Sequence, residues 1–251
     1  MGINTFTEVP MGTYCDQERQ IIVSGHQHGQ IFGLLLGPIG AIAVHEANAS
    51  AGESRFGSSL QTSSPTDLAT LTNELIAEAI ANQHTSGWTL AKEKAQLQVS
   101  PYALFTINSN KAHLFAMLRA EMAGPNPNDD PIWSVRYLVR VPGERPIDGP
   151  DGWMAENRFV SGMRAALGRA LQACMDDCAG RSTVTKMVNV QGLMPYIKDT
   201  SRPLPFMIVH EYDDAVVARL ALGDNPMFAG TYVLDRAEYQ FTPASFEDPR
   251  K

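Results

Sequence analysis

Hydrophobic and polar positions fall into distinct periodic blocks along this chain. Residues 112–122 set Leu114, Ala116, Leu118, Ala120 and Met122 against His113, Phe115, Met117, Arg119 and Glu121. Residues 133–141 set Trp133, Val135, Tyr137, Val139 and Val141 against Ser134, Arg136, Leu138 and Arg140. A period of two sends alternate side chains to opposite faces, so both blocks predict half-covered antiparallel strands. Between them GPNPNDDP, residues 124–131, is turn chemistry throughout and predicts a hairpin with a long loop. Residues 97–107 are also β-rich, but Pro101 predicts a bend or an edge position, because proline cannot donate to a ladder.

Helical spacing governs two other blocks. Over 64–83, Leu68, Leu71, Leu75, Ile76, Ala79 and Ile80 mark one apolar face. Ser64 is the expected cap, Pro65 suits the first helical position, and the Asp67 carboxylate favours the helix N-terminus. Over 154–179, Phe159, Val160, Met163, Ala166, Leu167, Ala170, Leu171, Cys174 and Cys178 recur at three and four, and Gly180 provides a stop. Short β runs at 21–23, 206–209, 215–222 and 231–234 complete the pattern, the last three separated by the turn-rich EYDD and GDNPMFAG. The expected fold is α+β: an antiparallel sheet covered by helices, with a small C-terminal β-meander. The expected division is an extended arm over 1–20, an α+β domain over 21–197 and a meander subdomain over 198–251.

The most unusual stretch is GHQHGQIFGLLLGPIGAIAV, residues 25–44. Gly25, Gly29, Gly33, Gly37 and Ala41 step by four, which on a helix makes one smooth ridge for close packing. Pro38 is expected to bend or break this helix, and a second small-residue helical piece is expected over 41–56. The ridge is the candidate interaction surface, buried against its own domain or presented as an assembly face. The apolar run 31–44 is shorter than the roughly 20 residues a membrane span needs. Its glycine spacing matches neither a phosphate loop nor a dinucleotide fingerprint.

Charge narrows the partners. A formal net charge of −7 argues against nucleic acid and against general affinity for anionic lipid. Three cysteines cannot form a full disulfide framework, and Cys174 and Cys178 read as small buried hydrophobes.

Candidate chemistry is sparse. His45-Glu46 begins a zincin pattern that fails at Ala49, and Gly52-Glu53-Ser54-Arg55 begins a nucleophile elbow that fails at Phe56. His26 and His28 can face one side of an extended segment as a metal pair, with Asp16 or Glu18 as further ligands of a hydrolase site. The simpler reading is two solvated histidines in a polar turn. Asp176-Asp177, near a helix C-terminus, is expected to be solvent-exposed. No catalytic residue, cofactor or metal is assigned, and the expected role is non-catalytic.

The order of parts resembles poorly characterised proteobacterial cell-envelope lipoproteins. The resemblance is carried by GLLLGPIGAIAVHEANASAG, PTDLATLTNELIAEAIAN, KAHLFAMLRAEM, PIWSVRYLVRV and NRFVSGMRAALGRALQACMDD, and covers residues 20–180. It implies a periplasm-facing or outer-membrane-anchored protein that binds a protein partner or itself. Membrane attachment would come only through a lipid anchor on a signal-peptide cysteine, a feature not seen in residues 1–20; a cytoplasmic location is the alternative.

Overall fold

The computed structural model describes residues 2–5, 7–27, 37–57, 67–82, 89, 95–126, 130–155, 157–196, 202–220 and 229–244. The first strands are β1 (Tyr14–Asp16), β2 (Ile21–Ser24), β3 (Leu97–Asn108), β4 (Lys111–Met122) and β5 (Trp133–Arg145). After them come β6 (Lys186–Gln191), β7 (Leu204–Glu211), β8 (Ala215–Leu220), β9 (Thr231–Asp235) and β10 (Gln240–Pro243). All belong to one sheet, in the order β1-β2-β3-β4-β5-β9-β8-β7-β6-β10. The helices are α1 (Gly37–Gly52), prolonged by a π turn over Glu53–Gly57, α2 (Leu68–Ala81) and α3 (Arg158–Cys178).

The fold is α+β, but the sheet is mixed and not purely antiparallel. β2 runs parallel to β3, and β5 runs parallel to β9. Both parallel joints link strands distant in sequence, where no hairpin turn dictates direction. The meander is present, and β9 hydrogen-bonds it to β5 as a continuation of the same sheet. Helix coverage is also more local than expected. α3 lies along β4 and β5, α2 packs on α3 and β3, and α1 packs on β1.

The hairpin of β4 and β5 forms, but its strands are not half-covered as expected: both faces are buried. Leu114, Ala116, Leu118, Tyr137 and Val139 join the core shared with α3, whereas Phe115, Met117 and Leu138 join a second core on the opposite face. Pro101 does not mark an edge, because β3 lies between β2 and β4. The β2 ladder begins only at Ala103, so the missing Pro101 N–H deprives no β2 carbonyl of a donor.

Helix α2 is capped by Asp67, whose side chain accepts from the Thr70 N–H at 3.0 Å. That replaces the expected cap at Ser64, which lies outside the described residues. A short side-chain acceptor adjoining the first turn serves as the cap, and Asp67 meets that condition.

Candidate functional site

The glycine-rich stretch does not form one ridged helix through Gly25. Gly25 follows β2 at φ +88°, and a Cβ there would stand 2.4 Å from the Ile107 carbonyl oxygen of β3. The close backbone approach is real, but its partner is a strand, and the left-handed backbone takes Gly25 off any helix. Gly29, Gly33 and His28 lie outside the described residues. Gly37 opens the described part of α1, Pro38 stands in its first described turn, and Ala41 is half-buried.

Helix α1 is inside out. Its buried positions are Gly40, His45, Asn48 and Gly52. Its exposed positions include Ile39, 83% exposed, Ile42, 47% exposed, Ala43, Ala47 and Ala51. Ile39, Ala43, Ala47 and Ala51 form a row stepping by four, on the opposite side of the helix from the row chosen by the glycine spacing. Glu46 is the charged side chain on this helix.

The inward polar groups explain the inversion. His45 Nδ1 accepts the Gly12 N–H at 2.9 Å, which leaves the proton of the neutral ring on Nε2. His26, at the end of β2, places Nε2 3.2 Å from the Asn48 carbonyl oxygen and meets Phe56 edge-on at 5.5 Å. Gly52 is required where they meet: a Cβ there would stand 2.5 Å from His26 Nε2 and 2.7 Å from Tyr14 Cβ. His26 is therefore buried against α1 and not in a solvated turn. Asp16 and Glu18 line a separate cleft of about 500 Å3 beside α1 with His45 and Glu53. Among the described residues no group of three or more His, Cys, Asp or Glu side chains is placed to hold a metal ion.

Asp176 is buried and Asp177 half-buried, with the carboxylate of each turned inward, not exposed. Asp176 accepts from Gln172, Arg181 and Tyr212, and Asp177 accepts from Tyr137 at 2.7 Å and Arg219 at 2.6 Å. Burial pushes the Asp176 carboxyl up, but its Tyr212, Arg181 and Gln172 hydrogen bonds outweigh this and hold it below the ordinary aspartate value. Apart from Gln172 of α3 itself, these partners come from β5, β8 and the segments flanking β6 and β7, so the pair fastens the end of α3 to both halves of the sheet. The expectation of exposure failed because Tyr137, Tyr212 and Arg219, which complete the clasp, stand 36–42 residues away along the chain.

Cys174 is buried and Cys178 half-buried, and both are free thiols. Their mutual hydrogen bond, with burial, pushes the Cys174 thiol up. Burial pushes the Cys15 thiol up to about 12, which leaves it protonated and a poor nucleophile.

No family model, curated protein or solved structure gives a significant match to the chain. No helix among the described residues is long and apolar enough to cross a membrane.

Proposed function

We propose that this protein is a non-catalytic assembly protein whose contact element is the outer face of α1. The observation that carries the reading is the inverted helix: isoleucines and alanines face outward while His45 and Asn48 face inward. A contiguous apolar helix face left in water is unfavourable, and covering it recovers roughly 25 cal/mol per Å2 of apolar area. The small row Ile39, Ala43, Ala47 and Ala51 suits close approach of a second helix, as small residues do wherever helix backbones come near each other.

A second copy of the chain is the partner best suited to this face, since a two-fold contact uses the same patch on both subunits. A different protein presenting an apolar helix is the other partner in this reading. The cell-envelope setting, periplasmic or anchored at the outer membrane, rests on the resemblance of residues 20–180 to envelope lipoproteins. A chemical role for the buried carboxylates finds little support, because Asp176 and Asp177 are engaged by arginine and tyrosine.

Sedimentation equilibrium of the wild type and of an Ile39→Asp/Ile42→Asp variant tests the reading. A concentration-dependent dimer in the wild type, absent from an equally stable variant, is the expected result. A wild type that stays monomeric at high micromolar concentration removes self-assembly as the function.

A further inference from the structure

The last turn of α3 holds two thiols that assembly through α1 does not use. Cys174 and Cys178 stand four apart, so their side chains lie one above the other on one helix face. Cys174 is fully buried, and Cys178 is half-buried where α3 gives way to the exposed Ala179 and Gly180. One sulfur is sealed in the core, and its neighbour is open to solvent at the end of the helix. The Cys174 thiol donates to the Cys178 sulfur. That bond outweighs burial and the Asp177 charge, and it holds the Cys178 thiol below its ordinary value. A partly exposed, hydrogen-bonded sulfur beside a buried thiol is the arrangement of an attacking thiolate and its resolving partner.

Closing a bridge between them requires movement. A regular helix holds Cβ atoms four residues apart at about 5–6 Å, whereas a disulfide wants about 3.5–4.5 Å. The bridge therefore forms only in a turn that can tighten. Cys178 is the final residue of α3, Ala179 is its C-cap, and Gly180 leaves the helix at φ +69°. No further helical turn has to move with it. The same turn carries Asp176 and Asp177, so tightening it pulls on their bonds to Arg181, Tyr212, Tyr137 and Arg219. A bridge strained in this way is easily reduced, which makes it reversible instead of structural.

We propose that Cys174 and Cys178 are a redox-active dithiol, oxidised by a low-molecular-weight disulfide to a bridge that loosens the Asp176–Asp177 clasp. Cys178 gives its proton to water and attacks one sulfur of the oxidant. The oxidant's S–S bond breaks, and the departing thiolate takes up a proton. Cys178 in the mixed disulfide carries no charge and has lost its hold on the Cys174 hydrogen. Two of the causes that keep Cys174 protonated are then gone, and the Tyr137 hydroxyl beside it favours the thiolate. Cys174 attacks the Cys178 sulfur, and the second oxidant sulfur leaves with the Cys174 proton. Two protein thiols become one disulfide, and the oxidant's disulfide becomes two thiols. This inference does not rest on the α1 contact.

Incubation of the full chain in glutathione buffers of graded oxidised-to-reduced ratio tests it, with each cysteine followed by peptide mapping and mass spectrometry. Cys174 and Cys178 are expected to lose their thiols together, as one linked peptide with no glutathione retained. Cys174→Ala is expected to hold glutathione on Cys178. Cys178→Ala is expected to slow reaction at Cys174 roughly tenfold or more, because that thiol is buried. The oxidised chain is expected to melt about 2–4 °C below the reduced one, since the bridge strains the clasp. If Cys174→Ala does not fold, the linked peptide in the wild type decides the matter. Glutathione that stays on Cys178 in the wild type, or no reaction at Cys178, overturns the dithiol. An oxidised chain that melts no lower than the reduced one overturns its link to the clasp.

Discussion

Helices α1 and α3 are both legible as helices, yet they stand in opposite relations to water. α3 carries its apolar residues at three-four spacing and buries Phe159, Met163, Leu167 and Leu171 against β4 and β5. α1 is built from small residues with no polar side in its sequence, and it buries His45 and Asn48 while exposing Ile39 and Ile42. Periodicity tells a helix which face to bury. Without it, the choice passes to hydrogen bonds, and the Gly12 N–H and the His26 ring hold His45 and the Asn48 backbone carbonyl inward. A helix aligned by polar contacts is left with an apolar outer face, which is the condition for docking.

Breaking the α3 side of this contrast has the largest effect. Leu167 is fully buried, so Leu167→Ala is expected to cost about 3 kcal/mol in urea unfolding through lost burial and a residual cavity. Asp177→Ala removes the acceptor shared by Tyr137 and Arg219 and is expected to cost about 2 kcal/mol in the same measurement. Gly52→Ala tests the inward packing of α1. The added methyl must displace His26 and Tyr14, at an expected cost of about 1–2 kcal/mol.

Acid sharpens the α3 side further. The folded carboxyl of Asp176 lies below its unfolded value of about 3.9, so its contribution is complete above that value and is lost as pH falls through the folded one. Melting temperatures followed from pH 6 to pH 2 are expected to fall less steeply below about pH 4 in Asp176→Asn than in the wild type. Ile39→Asp has the smallest effect on stability, within about 0.5 kcal/mol, because the side chain is 83% exposed. A large loss would mean that α1 has no free outer face.

The strands with clear alternation, 112–122 and 133–141, were legible to within a few residues from their period of two, but the burial of Phe115, Met117 and Leu138 on the second face was not. β6 and β10 were not, because KMVNVQ and QFTP are short and flanked by no hairpin signal. The outward row fell on the opposite side of α1 from the glycine row, since glycine spacing marks where a backbone can approach and not which face of a helix is free. The clasp around Asp176 and Asp177 was illegible altogether, because Tyr137, Tyr212 and Arg219 stand 36–42 residues away along the chain.

The sequence by itself determined the class of the fold, the major helices and the faces of the central hairpin, because these follow from local periodicity and capping. Tertiary structure decided which strands run parallel, what Asp176 and Asp177 meet, and which side of α1 faces water. Each of these depends on a partner far away along the chain. For α1 the partners are Gly12 and His26, whose hydrogen bonds to His45 and the Asn48 carbonyl hold that side inward and leave Ile39 and Ile42 in water.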